Sequence, residues 1–283
     1  MKTKILLPTD FSKNAWNAIS YATDLFKGKE CEFYILNAYT SKGYVLESMM
    51  VPEPGETEFE RAKTISEKGL SKILEMLSFR DRDDKHTFYT ISQFNSLLEA
   101  LKDIVEKKDI DMVIMGTKGS TNSKSVVFGS NAITAMEKLR NCPVIAIPEE
   151  ARYGGLKEIV FPTSFKTHFK HRELQYLTTI AKHANAPIRV IHVDTDDTLD
   201  KVQKNNKQLL EECFEEVTYT FHTLHGSSIS EAVRIFVESR ESDMIAFINK
   251  KHAFFGSVFS KPMVKEIGLY SKVPIMALHD FRN

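Results

Sequence analysis

The chain has 283 residues, room for two domains of ordinary size, and its 42% hydrophobic and 27% charged content is that of a globular protein. Lys+Arg and Asp+Glu are both 38, so the formal charge is zero; this argues against a nucleic-acid or membrane-surface partner, because both require a basic excess to meet phosphates. No uninterrupted apolar run approaches the roughly 20 residues that cross a bilayer, and the apolar stretch near Met1 is too short for a signal peptide.

In chain order, Lys4–Leu7 reads as a buried strand ending in Pro8-Thr9-Asp10. Ser12 is a suitable N-cap, and Ala15, Ile19, Ala22 and Phe26 recur on one helical face. Phe33–Ala38 is a second strand, and residues 57–78 form a charged amphipathic helix. Ser96 caps a helix through Leu97, Leu101, Ile104 and Val105, and Met112–Met115 is another strand. Gly116 to Asn131 follows, rich in Gly and hydroxyls, before a helix through Ala132, Ile133, Met136 and Leu139. Val144–Ile147 closes the series as a strand expected at a sheet edge, and residues 148–155 are polar and turn-rich.

The order then repeats. Lys4–Phe11 resembles Glu158–Phe165, Ser96–Leu101 resembles Ser228–Val233, and Asp111–Ile114 resembles Asp243–Ala246. Ser125–Phe128 lines up with Gly256–Phe259, and Cys142–Ala146 with Val273–Ala277. This predicts a duplicated unit, divided into 1–150 and 151–283, each alternating strands and helices. Such alternation implies a parallel sheet with helices on both faces, an α/β fold. Residues 198–216 read as a second charged amphipathic helix.

Ligands of such sheets bind at the carboxyl ends of strands, where the strand order reverses. Two strand ends of the first unit stand out: Pro8-Thr9-Asp10 and the segment from Gly116. Gly116 leaves bare backbone for a ligand, Gly119 permits a positive φ, and Gly129-Ser130-Asn131 opens a helix whose free N–H groups and dipole suit an anion. Lys124 and Lys118 are candidates to add charge. The glycines alone equally fit a surface turn before a capped helix, and Asp10 equally fits a turn residue. A Walker loop is excluded, because no glycine precedes Lys124-Ser125.

The spacing Gly116-x2-Gly119-x9-Gly129-Ser130 resembles the G-x2-G-x9-G-[ST] nucleotide motif of the universal stress protein family, and with the repeated strand ends the resemblance extends along the whole chain twice. It implies two Rossmann-like domains, related to the adenine nucleotide alpha hydrolase-like fold, each a five-stranded parallel sheet of order 3-2-1-4-5. It further implies that the first unit binds ATP, or ADP or AMP, with Mg or Mn on the phosphates. Pro8 and Thr9 then lie at the strand end beside the ligand, Asp10 contacts the nucleoside, and Ala38 offers backbone beside adenine. Met115 and Gly116 lie near base and ribose, while Gly119, Lys124, Gly129, Ser130 and Asn131 surround the phosphates. Family dimers meet through the last strand, so Val144–Ile147 and Pro274–Leu278 are expected to pair within the chain as a pseudo-dimer, with a homodimer of chains as a further step.

The second unit departs from the motif: Ser164 stands for Asp10, Ile248 for Gly116, Lys251 for Gly119, and Ser260-Lys261-Pro262 for the helix opening. Ile248 is expected to fill space that a ribose needs. An alternative alignment places Phe255-Gly256-Ser257 at the helix opening, and Lys250, Lys251 and Lys261 leave an isolated anion site open. His192, His222 and His225 lack metal-ligand spacing and are expected in structural or surface roles. Cys31, Cys142 and Cys213 form no even framework and are expected as buried hydrophobes in a reducing compartment, which points to the cytoplasm.

Neither a nucleophile nor a paired acid and base emerges, so the expected function is a nucleotide-binding stress-response regulator rather than an enzyme. Slow ATP hydrolysis, autophosphorylation and a nucleotide-free interaction scaffold remain alternatives. An ATP-using enzyme of the α-hydrolase type is disfavoured, because Pro8-Thr-Asp-Phe-Ser12 stands where such relatives carry an SGGxDS-like loop. Protein partners are not legible.

Overall fold

The computed structural model describes residues 2–40, 57–80, 83–118, 128–193, 198–225, 228–249 and 271–279. The first half contains β1 (Thr3–Pro8), α1 (Lys13–Leu25), β2 (Cys31–Tyr39), α2 (Thr57–Ser78), β3 (His86–Phe94), α3 (Leu97–Lys108), β4 (Met112–Gly116), α4 (Ser130–Lys138) and β5 (Val144–Ile147). The second contains β6 (Ile159–Pro162), α5 (His171–Ala184), β7 (Ile188–Val193), α6 (Lys201–Cys213), β8 (Tyr219–Leu224), α7 (Ile229–Arg240), β9 (Met244–Asn249) and β10 (Ile275–His279).

The described strands join one ten-stranded sheet of order β3-β2-β1-β4-β5-β10-β9-β6-β7-β8. Each half therefore has the order 3-2-1-4-5, and its internal pairings are parallel. Only the β5–β10 pairing is antiparallel, with Ala146 opposite Ile275, Ile145 opposite Met276 and Val144 opposite Ala277. The equivalent residues of the two strands thus exchange places about a local dyad, as in an isologous interface. The expected internal pairing is present. The two strands are edges only of their own halves; β3 and β8 are the edges of the whole sheet.

Strand alternation sorts the core onto the two faces of the sheet. Ile5, Leu7, Phe33, Ile35, Ile145 and Ile147 share one apolar cluster with Phe161, Ile188, Met276 and Leu278. Leu6, Leu36, Val113, Val144 and Ala146 share the other with Ile245, Ile275 and Ala277. Both clusters run through the β5–β10 seam, so the halves have a continuous core. Each fully buried Leu, Ile or Phe contributes about 2 kcal/mol of transfer free energy.

The polar segment between the halves is anchored to α1. Asn17, buried on that helix, donates from Nδ2 to the carbonyls of Pro148 (3.1 Å) and Ala151 (2.8 Å). Tyr153 then packs edge-on against Tyr21, with ring centroids 5.3 Å apart. Across the seam, the Tyr176 hydroxyl of α5 donates to Asp111 Oδ1 at 3.3 Å.

At the amino ends of the second-half strands, Glu158 is buried. Its carboxylate accepts from Arg189 Nε (2.8 Å), from Arg240 Nε and NH2 (2.9 and 2.8 Å) and from Ser242 Oγ (2.7 Å). Burial alone would raise its pKa, but these donors outweigh burial and hold it down at about 2.

Cys31 and Cys142 are buried as expected, whereas Cys213, at the end of α6, is half-buried; all three are free thiols. Burial pushes the Cys31 thiol up to about 12 and the Cys213 thiol up to about 11. Among the described residues, no helix is long and apolar enough to cross a membrane.

Candidate functional site

The site grows from a short turn that occurs twice. After β1, the Thr9 hydroxyl accepts the N–H of Phe11 at 3.0 Å; after β6, the Thr163 hydroxyl accepts that of Phe165 at 3.1 Å. Phe11 and Phe165 adopt φ of 63° and 57°, a left-handed conformation costly for a bulky residue. The carbonyl beside each turn is also held. Asn37 Nδ2 donates to Thr9 O at 2.7 Å, and His192 Nδ1 lies 2.9 Å from Thr163 O. Strand register makes Asn37 and His192 equivalents: Pro8 pairs with Leu36 and Pro162 with Ile191, the residues just before them. His192 is therefore a strand-end clamp. His222 lies 2.8 Å from the Thr220 hydroxyl and packs on Phe236; burial, then Arg240 and Arg189, lowers its pKa. His225 lies just past β8.

In the first half the turn delivers Pro8, Thr9 and Asp10 to the rim of a cavity. Ala38 of β2, Met115 and Gly116 of β4, and Gly129, Ser130 and Asn131 at the start of α4 line the same cavity. Asp10 is exposed, and its Oδ1 accepts the Ser12 N–H at 3.1 Å, so it serves the turn while facing this rim. Gly119 and Lys124 lie outside the described residues. Five further lining residues, Ala15, Leu97, Thr117, Lys118 and Ala132, complete the wall. Lys118 follows from the charge of the segment. Ala15, Leu97 and Ala132 carry no sequence signal beyond helix-face periodicity.

The helix starts differ in a way that bears on chemistry. Ser12, Ser96 and Ser228 cap α1, α3 and α7 through their hydroxyls, and Asp200 caps α6 with a reciprocal Gln203 contact. The caps of α4 and α5, Gly129 and Lys170, make no side-chain hydrogen bond to their helices, and of these two starts only that of α4 lines the cavity. The N-cap of α4 thus occupies none of the first-turn N–H groups at the cavity wall, an arrangement that suits an anion.

Gly116 lines the cavity and also meets a packing constraint. A Cβ there would lie 3.0 Å from Asn14 Cγ and 3.1 Å from the Asn14 backbone carbon. A side chain there would press on α1, whose Asn14 Nδ2 donates to Lys118 O at 3.2 Å. Ile248, at the matching place, packs against the apolar cluster that spans both halves. In that half α5 begins only at His171, nine residues after β6, whereas α1 begins at Lys13, soon after β1. There, α6 reaches over the turn instead: Gln203 Nε2 donates to Ser164 O at 2.9 Å and Asn206 Nδ2 to Phe165 O at 2.7 Å. Lys250, Lys251, Phe255-Gly256-Ser257 and Ser260-Lys261-Pro262 lie outside the described residues.

Comparison with known proteins agrees with this architecture. Two curated universal stress proteins of Methanocaldococcus jannaschii match half of the chain. MJ0577 is 27% identical over 163 residues, covering 52% of this chain and 95% of that protein. MJ0531 is 25% identical over 154 residues, covering 51% and 81%. A universal stress protein structure from Archaeoglobus fulgidus shares the fold along nearly the whole length, with a TM-score of 0.69 at 18% identity, covering 97% of this chain and 95% of that one. The sequence model of the universal stress protein family matches residues 1–148, just over half of the molecule, and the chain belongs to that family.

Proposed function

We propose that the first half binds ATP, or a closely related adenine nucleotide, and that the protein acts as a nucleotide-dependent regulator of the stress response. The observation that carries this reading is the convergence of three strand ends and the uncapped start of α4 on one cavity. In this reading Asp10 accepts from a ribose hydroxyl, and the backbone of Ala38 meets the adenine edge. Met115 and Gly116 flank base and ribose, and Gly129, Ser130 and Asn131 receive the phosphates, with Gly119 and Lys124 contributing from the intervening loop. A divalent ion, Mg or Mn, would ride on the phosphates.

The division into a nucleotide-binding unit, 1–150, and a degenerate one, 151–283, belongs to the same reading. It is supported by the repeated sheet order and by the Gln203 and Asn206 contacts that tie down the second turn. The cytoplasm is the proposed location.

Calorimetric titration with ATP, ADP and AMP tests the proposal. Asp10→Asn keeps an acceptor for the Ser12 N–H but removes the charge, and should weaken binding by about tenfold or more, the worth of a hydrogen bond to a charged group. Gly129→Glu, which places a carboxylate where phosphates are expected, should abolish it. A wild-type chain giving no heat with any adenine nucleotide would reduce the site to a structural cleft and favour the scaffold alternative.

A further inference from the structure

Lys118 belongs to the cavity wall, yet its ammonium is already engaged: Nζ lies 3.7 Å from Glu149 Oε2, with the Lys118 side chain 17% exposed and that of Glu149 49%. Glu149 lies just after β5, in the segment that leads to the second half. The backbone at both ends of this pair is fixed. The Lys118 carbonyl is held by Asn14 Nδ2, and the Thr117 N–H donates to Ile147 O at 3.0 Å. The Glu149 carbonyl accepts from Arg152 NH1 at 2.7 Å and from Asn17 Nδ2 at 3.5 Å. Asn14 and Asn17 sit three residues apart on α1, hence on one face, and both are buried. The two side-chain heads can therefore exchange partners while their backbones stay in place.

We propose that Glu149 is a built-in competitor for the phosphate end of the nucleotide: it holds Lys118 in the empty site, and binding transfers the ammonium from this carboxylate to a phosphate. The inference rests on the nucleotide reading above and adds a regulator to it. Because the competition concerns charge at the phosphates, it affects ATP and leaves a phosphate-free nucleoside untouched. It also places the control of affinity on the segment between the halves, where a change in the second half can reach the site through the position of Glu149.

The test is calorimetric titration of the full chain with ATP and with adenosine, comparing wild type, Glu149→Gln, Lys118→Ala and the double variant. Glu149→Gln should tighten ATP by about three- to five-fold, the upper range for a partly exposed ion pair, and leave adenosine unchanged. Lys118→Ala should weaken ATP, and adding Glu149→Gln to it should restore nothing, because the carboxylate acts through the lysine. An equal change for ATP and adenosine, no change in Glu149→Gln, or a full gain retained in the Lys118→Ala background would each overturn the proposal while leaving nucleotide binding intact. A wild-type chain that bound neither ligand would overturn the nucleotide reading and this inference together.

Discussion

The two halves place the same turn at the end of their first strand and then treat it in opposite ways. In the first half, Thr9 and Asn37 secure the turn from within the sheet, and the space beyond it stays open to the uncapped start of α4. In the second, Thr163 and His192 secure it in the same manner, but Gln203 and Asn206 of α6 also bond its carbonyls. The second half thus supplies from its own chain hydrogen bonds that hold the turn without a ligand. Duplication keeps the scaffold, while a few side chains change how the turn at its first strand end is held. The opposite ends of the strands differ as well: a buried Glu158 gathers two arginines in the second half, whereas the matching Lys4 of the first sends its ammonium to the Lys108 carbonyl at the surface.

The largest effect that should sharpen this comparison is on stability. Glu158→Gln leaves Arg189 and Arg240 without their carboxylate and should cost about 3 kcal/mol in urea unfolding; a loss below half of that would show that the network is not needed to hold the second half. The pH profile gives the sign. The Glu158 pKa is lowered from 4.5 to about 2 on folding, so its contribution is complete above pH 4.5 and is lost as pH falls toward 2. His279, buried on β10, is pushed from 6.5 down to about 3 by burial and then by Arg140. It stays neutral while the unfolded chain protonates, so stability already declines below pH 6.5. Glu158→Gln should flatten this acid limb below pH 4.5, and His279→Leu should flatten it from pH 6.5 down to about 3.

An intermediate effect is expected from exchanging the strand-end residues. Gly116→Ile forces a branched side chain against Asn14 and should destabilise by about 2 kcal/mol, the usual cost of overpacking. If Gly116→Ile were tolerated in thermal unfolding but lost nucleotide, the glycine would be serving the ligand alone. The smallest effect concerns the clamp: Asn37→Ala removes one buried hydrogen bond to Thr9 O and should cost about 1 kcal/mol. Asn37→His, borrowing the residue of the other half, should recover part of that loss in the same unfolding measurement.

Much of this contrast is legible in the sequence, where local chemistry decides it. The Ser12 and Ser96 caps, the alternating strands and the repeated Pro-Thr-x-Phe segments depend on neighbours in sequence, and each appears where its residues predict. The pairing of β5 with β10 followed from the family resemblance. The packing of Gly116 against Asn14 was hidden because Asn14 comes from another element, and the sequence alone shows only a glycine at a strand end. Asn37 and His192 look unrelated until strand register superposes them. Gln203 and Asn206 read as part of a solvated charged helix; their burial depends on how α6 crosses the sheet, which periodicity does not reveal. Cys213 sits half-exposed for a similar reason, at a helix end rather than in a strand.

The central claim is that the first half offers a nucleotide site and the second does not. The binding stoichiometry of ATP on the intact chain, measured by isothermal calorimetry with wild type and Gly129→Glu side by side, tests it most directly. The account predicts one ATP per wild-type chain and none for the variant; two per chain, or binding that survives Gly129→Glu, would contradict it.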